Sequence, residues 1–449
     1  MRHLLNAAAL AGLTSIASPA FADDDLSSIR AEIDAMRSEY QSRISQLESR
    51  LAEAETRAAN AEATANSART AVAAIPPAAT VAPRAMPVSS ASRTGDNAFN
   101  PAISVVLNGQ YTASSEDPDG VGMPGFALDE EAGRPERGFN LGESEIVLTA
   151  NIDPSLYGNL TFALTPEGEV EVEEAYIQTT ALGGGVTLRG GRIFSGIGYL
   201  NEVHGHNWSF SDQPLPYRAF LGGQYGDDGV QMRWLAPLDQ YVEFGAELYK
   251  GDSFPAGGAA NGGAGTQAVW VRTGGDIGDS SSWLASASYM NAAAEDRDVG
   301  GGLFTGDETL GIVSFVYKWA PGGNRRDRNL TLSGEYFFDT MEGDYDAIPV
   351  NLDRSGWYAQ GVYQFRRRWS AGLRYAALTP DSVPAALAGS ALDAGGLDPW
   401  AATALLEFDT SEFGRLRAQF THDETGPVAN DEFRLQYTVI YGPHGAHRY

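Results

Sequence analysis

The sequence predicts an all-β protein, a transmembrane antiparallel β-barrel of about 16 strands, with an α-helical coiled coil before it. Three observations carry this prediction. Apolar and polar residues alternate with a period of two from Phe99 onwards. The segments between the alternating stretches are short and long by turns. Before them, between Leu26 and Val72, apolar residues follow a heptad-like spacing.

Composition and charge exclude several classes of protein. The 449 residues include no cysteine, which excludes a disulfide scaffold and a thiolate metal site. Aspartate and glutamate number 58 against 31 lysines and arginines, and the net charge of -27 disfavours nucleic acid and anionic lipid and favours cations. No segment after the first 22 residues has the roughly 18 uninterrupted apolar residues of a spanning helix. This excludes a helical membrane protein but not a membrane barrel.

Residues 1–22 have the pattern of a secretory signal peptide. Arg2 and His3 form a short polar start, Leu4 to Ile16 form an apolar stretch, and Ala20-Phe21-Ala22 is a small-x-small cleavage site. We therefore expect the mature chain to be exported.

Residues 23–74 are predicted to form a coiled coil. The apolar seam alternates spacings of three and four, with a stutter at Tyr40. A lone amphipathic helix packed on a globular core is the alternative. Residues 75–98, rich in proline, alanine and serine, are expected to be a semi-extended linker, and residues 99–449 the barrel. The seam consists of Leu26, Ile29, Ile33, Met36, Tyr40, Ile44, Leu47, Leu51, Ala54, Ala58, Ala61, Ala65, Ala68 and Val72.

Each alternating stretch has one apolar and one polar face. In the stretch 328–338, Leu332 and Tyr336 alternate with Ser333 and Glu335. A soluble β-sandwich would bury the apolar face, whereas an outer-membrane barrel would turn it to lipid, and the alternation alone leaves both open. The predicted strands are 102–112, 139–151, 156–165, 169–179, 185–194, 229–236, 241–250, 267–276, 282–291, 309–319, 328–338, 355–366, 369–378, 399–409, 413–422 and 432–441.

The connections favour the barrel. Short turns at one rim and long loops at the other are typical of a bacterial outer-membrane barrel and are not needed in a sandwich. Both ends of the barrel lie on the short-turn side, so the coiled coil is expected in the periplasm of a Gram-negative cell. The long connections are 113–138, 195–228, 251–266, 292–308, 339–354 and 379–398.

Acidic residues concentrate in the long connections, and arginines in the short turns. The first long connection carries Glu116, Asp117 and Asp119, while one short turn carries Arg367 and Arg368. Such a rim would concentrate cations at the mouth of a channel. Alternatively, the acidic loops only keep the outer surface soluble or bind divalent ions non-specifically.

The connection 195–228 is the third at the outer rim, counting the exceptionally short Pro166-Glu167-Gly168 as the second, and it is predicted to fold into the lumen. Its aromatic and aliphatic side chains are too apolar to stand in water, and the third outer loop of general porins forms their constriction. The residues expected at the pore constriction are Tyr199, Trp208, Tyr217 and Arg218.

The same loop holds a candidate metal site. His204 and His206, with Glu202 and Asp212, offer the nitrogen and oxygen ligands that suit Zn²⁺. A histidine pair that only forms hydrogen bonds within the loop is the alternative. No nucleophile lies in a recognisable catalytic context near these histidines, so we expect no enzyme and no bound cofactor apart from zinc as a transported ion.

Four stretches resemble a known family. They are FNPAISVVLNGQY (99–111), GGRIFSGIGYLNEVHGHNWSFSDQPLPYRAFLGGQYGDDGVQMRWLAP (190–237), GDIGDSSSW (275–283) and the closing GPHGAHRY. They are similar to proteobacterial outer-membrane proteins labelled zinc-regulated TonB-dependent receptors, and the resemblance implies import of a scarce metal. The chain departs from such receptors because it shows no plug domain and about 16 strands instead of twenty-two. Its plan of a periplasmic coil plus a barrel is similar to trimeric phosphate- and polyphosphate-type porins.

The sequence therefore predicts a porin-like channel in the outer membrane that takes up small solutes passively, prefers cations and serves zinc or other metal acquisition. The expected partners are outer-membrane lipid and two further copies in a homotrimer, with no nucleic acid. Two alternatives stay open. One is a TonB-dependent metal receptor, and the other is a structural tether whose coiled coil binds peptidoglycan or a periplasmic partner.

Overall fold

The protein was analysed as a computed structural model, which describes residues 101–117, 122–126, 128, 133–165, 168–258 and 263–442. The predicted signal peptide, coiled coil and linker lie outside the described residues, as do His444 and His447.

One antiparallel sheet accounts for nearly all regular structure in the described residues. Its segments are β1 Ala102–Ser114, β2 Gly138–Leu141, β3 Ser144–Asp153, β4 Leu156–Leu164, β5 Val170–Thr179, β6 Val186–Phe194, β7 Gly226–Leu235, β8 Tyr241–Tyr249, β9 Gly257–Gly258, β10 Thr266–Ile277, β11 Ser281–Val299, β12 Gly302–Trp319, β13 Asn329–Tyr345, β14 Ile348–Arg366, β15 Trp369–Thr379, β16 Trp400–Ser411, β17 Gly414–Glu424 and β18 Asn430–Tyr441.

The sheet closes on itself as a barrel of sixteen wall strands. β18 pairs with β1, with Tyr441 opposite Val105. β2 and β3 both pair with β1 and form one wall strand, interrupted at Gly142 and Glu143. The two-residue β9 pairs in parallel with β11 and is not part of the wall. The predicted strand number and fold class are confirmed, since all sixteen predicted strands overlap a wall strand.

The wall is apolar outside and polar inside. On β18, Arg434 and Gln436 are buried while Phe433, Leu435 and Tyr437 are exposed. The same alternation runs around the barrel, and aromatic side chains stand near the short turns at Trp234, Tyr241, Phe365, Phe413 and Tyr441. An apolar surface of this extent would associate in water. It suits the lipid-facing band of a membrane barrel, so the soluble sandwich is excluded.

The prediction of long loops at two places is wrong. The segments 292–308 and 339–354 are strand: β11 and β12 meet at a turn through Gly300 and Gly301, and β13 and β14 at a turn through Asp346 and Ala347, all with positive φ. Adjacent positive-φ residues make the two-residue turns that join twisted strands.

The inner and outer faces of these strands exchange their apolar and polar character along the strand. For this reason the sequence pattern predicted loops where the strands continue. Beyond the apolar band, acidic residues such as Asp307 and Glu342 point outwards into water, while Phe304, Met341 and Leu352 pack inside. A run of exposed acidic residues is therefore compatible with a continued strand when the inner face has its own apolar core.

Helices are few and short in the described residues. Helix α1 spans Leu215–Leu221, and single 3-10 turns span Gly205–Asn207, Pro321–Gly323 and Ala385–Leu387. Across the described part of the chain, no helix combines the length and the apolar character needed to cross a membrane.

Candidate functional site

Residues 195–225 connect β6 to β7 and fold into the barrel; we call this segment the inner loop. It contains the 3-10 turn Gly205–Asn207 and helix α1. Pro216 lies in the first turn of α1, and Gly222, with φ at 61°, ends it, as the preferences for proline and glycine at these positions predict. The inner loop bonds to side chains of β8, β10, β13, β15, β17 and β18. It therefore crosses the lumen from wall to wall.

A buried carboxylate on β13 holds the start of the inner loop and helix α1. Glu335 accepts hydrogen bonds from the backbone N–H of Tyr199 at 2.7 Å and from the hydroxyls of Tyr217 at 2.7 Å, Tyr358 at 2.6 Å and Ser314 at 2.5 Å. A buried carboxylate is tolerated when donors satisfy its oxygens in this way.

Four arginines on β15, β17 and β18 hold the middle of the inner loop; we call Arg374, Arg415, Arg417 and Arg434 the arginine wall. Each donates to a backbone carbonyl of the loop. The bonds run from Arg417 to the carbonyls of Trp208 and Phe210 at 2.8 Å each, from Arg434 to that of Ser211 at 2.9 Å, from Arg374 to that of Asp212 at 2.7 Å, and from Arg415 to that of His206.

Aromatic packing explains why the loop lies inside the barrel. The ring of Phe220 is 6.0 Å from that of Phe337 and 5.6 Å from that of Phe126, and the ring of Tyr217 is 5.2 Å from that of Phe337. Burying each such side chain contributes about 1.5–3 kcal/mol. The predicted inward position of this loop is thus what the structure has, with the barrel wall as its packing partner.

The inner loop separates two cavities in the lumen. The larger, about 1050 Å³, lies on the long-loop side and is lined by residues such as Glu169, Glu171 and Arg134; we call it the outer cavity. The smaller, about 580 Å³, lies on the short-turn side and is lined by residues such as Asp276 and Trp283; we call it the inner cavity. The two share no lining residue among those described, so the loop is the partition between them.

The residues predicted for the constriction are distributed over this partition. Tyr199 lines the inner cavity, whereas Trp208 and Arg218 line the outer one. Tyr217 lines neither: it is fully buried, and its hydroxyl bonds to Glu335. Its assignment to the pore lining is corrected, because the loop turns its aromatic face to the wall and not to the passage.

The two acids predicted beside the histidines lie in other clusters. Glu202 pairs with Arg233 and, at 2.8 Å, with Arg272. Asp212 pairs with Arg374 at 2.7 Å; burial alone would raise the pKa of Asp212, but Arg374 and Arg434 outweigh burial and lower it to about 2. These carboxylates are already neutralised by guanidinium groups, so their assignment as ligands beside His204 and His206 is corrected.

His204 and His206 instead meet four glutamates of the opposite wall; we call Glu143, Glu145, Glu173 and Glu174 the glutamate wall. His204 Nδ1 is 3.2 Å from Glu173 Oε2 and 3.4 Å from Glu145 Oε2, and its Nε2 is 3.2 Å from Glu174 Oε2. His206 Nδ1 is 2.5 Å from Glu145 Oε1. One ligand atom from each of Glu143, Glu145, Glu173 and His204 lies within 4.8 Å of the others.

Local backbone features bring these carboxylates together. Glu145 lies at the start of β3 and Glu143 in the break just before it, and both reach the inner loop, at His206 and at the N–H of Gly205. A register shift between β4 and β5, at Thr161 and Phe162, lets the consecutive residues Glu173 and Glu174 both reach His204.

A glycine between the histidines also shapes the site. The N–H of Gly205 donates to Glu143 Oε1 at 3.1 Å, and a Cβ on Gly205 would lie 2.0 Å from Glu143 Oε2. The side chain of Glu143 can approach the loop this closely only because residue 205 has none.

The charge on His204 follows from its neighbours. Burial opposes a charged imidazole, but the carboxylates of Glu145, Glu173 and Glu174 together raise the pKa of His204 well above its usual value.

Sequence reasoning missed the glutamate wall. Its signal was present as the acidic residues of ESE (143–145) and EVEE (171–174) inside strands that are otherwise apolar on one face. Their relation to a loop some thirty to sixty residues later required the barrel closure. His422, by contrast, points out of the barrel beside Asp431 and Glu424 and joins neither cavity among the described contacts.

Comparison with known proteins places the fold in one class. No family model matches the chain. A protein of Aquifex aeolicus (strain VF5), described as an uncharacterized protein, is 29% identical over 341 residues, which cover 70% of this chain and 70% of that protein. The architecture, a closed barrel of sixteen strands, is similar to that of solved outer-membrane porins and channels.

Three solved structures illustrate the likeness. The outer membrane channel DcaP of Acinetobacter baumannii is 12% identical with a TM-score of 0.51, over 76% of this chain and 97% of its own. An outer membrane protein of Vibrio cholerae, OmpT lacking loop L8, is 14% identical with a TM-score of 0.50, over 77% and 100%. An anion-selective porin from Comamonas acidovorans is 11% identical with a TM-score of 0.50, over 76% and 99%. These identities establish the fold alone, and the resemblance to zinc-regulated TonB-dependent receptors stays a prediction.

Proposed function

We propose that the protein is a porin-like channel of the outer membrane through which small solutes pass passively, with the inner loop as its constriction. The observation that carries this proposal is the position of the loop between two water-accessible cavities of a barrel with an apolar outer surface. Such a surface requires lipid around it, and the outer membrane is where barrels of this fold reside.

We further propose that the channel prefers cations. Nine carboxylates and five guanidinium groups line the outer cavity among the described residues, so a negative field meets a solute that arrives from the long-loop side. The inner cavity is balanced, with Glu202, Glu243 and Asp276 against Arg189, Arg233 and Arg272. The outer cavity would therefore determine the charge selectivity of the channel. Zinc or a related divalent metal is the cargo that the glutamate wall supports best.

Single-channel recording in planar lipid bilayers tests the proposal. The purified full-length chain is expected to form conducting pores whose reversal potential in a KCl gradient reports cation preference. Replacing Glu169 and Glu171 by glutamine should move the reversal potential towards that of a non-selective pore. The matched control is Asp279→Asn, which removes one exposed charge in a short turn at the opposite rim and should leave selectivity unchanged.

The outcomes separate the two parts of the proposal. Anion preference would overturn the selectivity while leaving a channel. Absence of conductance, both in the parent protein and in a variant whose inner loop is shortened, would overturn the channel itself.

The homotrimer belongs to the same proposal. Porin barrels are commonly oligomeric through their lipid-facing surfaces, and the outer wall of β12–β17 has an apolar depression lined by small residues such as Gly334, Ala359 and Ala404. Native mass spectrometry from detergent should give the mass of three chains. The mass of a single chain would contradict the homotrimer.

A further inference from the structure

The contact between the inner loop and the glutamate wall has the donor set of a metal centre. It joins one imidazole to three carboxylates, and their ligand atoms lie within 4.8 Å of one another. Atoms bound to one Zn²⁺ at about 2.0–2.2 Å are roughly 3.3–3.6 Å apart in a tetrahedron. Side-chain movements of about an ångström or less would therefore bring the four donors onto one ion.

One of these donors is incompletely satisfied. The side chain of Glu145 is fully buried, and its Oε2 atom accepts no hydrogen bond from the described residues, although it lies 3.4 Å from His204 Nδ1. A buried carboxylate oxygen without a donor costs about 1–3 kcal/mol or more. This oxygen faces the ring nitrogen of His204 that also lies beside Glu173, and a cation bound between these groups would satisfy it.

We propose that Glu143, Glu145, Glu173 and His204 bind a divalent transition-metal ion that fastens the inner loop to β3 and β5. His204 would bind through Nδ1, the nitrogen that faces Glu145 and Glu173. Its Nε2 lies 3.2 Å from Glu174 Oε2. Glu174 would accept the Nε2 proton and so orient the ring, as a carboxylate commonly does for a metal-bound histidine.

The ligand chemistry selects the class of ion. An imidazole nitrogen among carboxylate oxygens suits Zn²⁺ and its first-row neighbours, whereas Ca²⁺ and Mg²⁺ prefer oxygen ligands alone and, for Ca²⁺, more of them. Access is from the long-loop side, because Glu143 and Glu173 line the outer cavity. The ion would reach the site without passing the inner loop.

Equilibrium binding of Zn²⁺ tests this site without reference to transport. The full-length chain, purified in detergent, is titrated with Zn²⁺ against a chromogenic chelator, and the retained metal is counted by mass spectrometry after gel filtration. We expect one saturable site that His204→Gln and Glu173→Gln each remove. Glu174→Gln should weaken it roughly 10- to 100-fold, as for other partners of metal-bound histidines.

His422→Ala is the matched control, since His422 also has two acidic neighbours but is exposed on the outer wall. It should leave the site intact. A folded barrel resists SDS without boiling, and this gel shift verifies that each variant is folded before its affinity is interpreted.

Two results would overturn the site: equal Zn²⁺ binding by the parent chain and the folded His204→Gln variant, or displacement of Zn²⁺ by Ca²⁺ or Mg²⁺ at equal concentration. The binding itself does not depend on the proposed channel. Only its effect on conductance rests on that proposal, so failure of one measurement leaves the other informative.

Discussion

The inner loop meets two unlike walls. On the side of β15, β17 and β18, the arginine wall donates to loop carbonyls and to Asp212, so each contact joins a donor to an acceptor. On the side of β3 and β5, the glutamate wall presents four acceptors to two imidazoles. The arginine contact pairs charged donors with loop oxygens, although the Nε atoms of Arg417 and Arg434 have no hydrogen-bond partner among the described residues. The glutamate contact gathers carboxylates around imidazoles, and the proposed cation would join them. We call the arginine contact the permanent anchor, and the glutamate contact with its proposed metal ion the ligand-dependent anchor.

The largest expected effect comes from breaking the permanent anchor. Arg417 is almost fully buried and donates to the carbonyls of Trp208 and Phe210. Arg417→Ala should lower the free energy of unfolding by about 3 kcal/mol or more, since each bond to a charged donor contributes about 1.5–3 kcal/mol. Urea unfolding in detergent measures this. The control Arg192→Ala removes an arginine whose side chain is 45% exposed and should cost at most about 1 kcal/mol. Equal losses would mean that the arginine wall does not anchor the loop.

Next in size is the loss of the ligand-dependent anchor. If a metal fastens the loop to the glutamate wall, micromolar Zn²⁺ added on the long-loop side should change the conductance and its fluctuations. His204→Gln should abolish this response, with a loss of affinity of about a hundredfold or more, while His422→Ala should retain it. Single-channel recording with Zn²⁺ on each side in turn is the measurement. An unchanged response in His204→Gln would show that the two walls do not differ in this way.

The arginine side should also show a pH dependence. The pKa of Asp212 is lowered from 3.8 to about 2, so its ion pair with Arg374 stabilises the folded state fully above pH ~4. That contribution, about 2 kcal/mol, disappears as the pH falls through about 2. The difference in unfolding free energy between the parent chain and Asp212→Asn should shrink over this window. Asp279→Asn, in an exposed turn at the short-turn rim, is the control variant measured in parallel. A difference that is constant from pH 6 to pH 2 would contradict the proposed ion pair.

The smallest expected effect is a loss of Zn²⁺ affinity that tests whether Glu143 is a ligand. A methyl group at residue 205 would push the Glu143 carboxylate away from the loop. Gly205→Ala is therefore expected to weaken Zn²⁺ binding roughly tenfold, because it displaces the Glu143 carboxylate without removing it. In the control Gly263→Ala, a Cβ meets no atom within 4 Å. The chelator competition assay distinguishes the two variants, and equal affinities would remove Glu143 from the ligand set.

Sequence patterns predicted the wall strands correctly wherever their side chains alternate between lipid and lumen. Alternation with a period of two marks each wall strand, because successive side chains face lipid and lumen. The same rule misread 292–308 and 339–354, where β11 to β14 continue beyond the apolar band and reverse their polarity. The aromatic content of the inner loop predicted its inward position correctly, but not that Tyr217 would face the wall instead of the passage.

The sequence alone determined the barrel, its even number of strands and the loop that enters it, because these depend on local alternation and on the lengths of connections. Which carboxylate meets which base was decided only by the tertiary structure. Glu202 and Asp212 are near the histidines along the chain, yet arginines of distant strands neutralise them. Glu145 and Glu173 are remote along the chain, yet barrel closure places them against His204. Electrostatic pairing depends on distance in space, and in a closed sheet that distance bears little relation to separation along the chain.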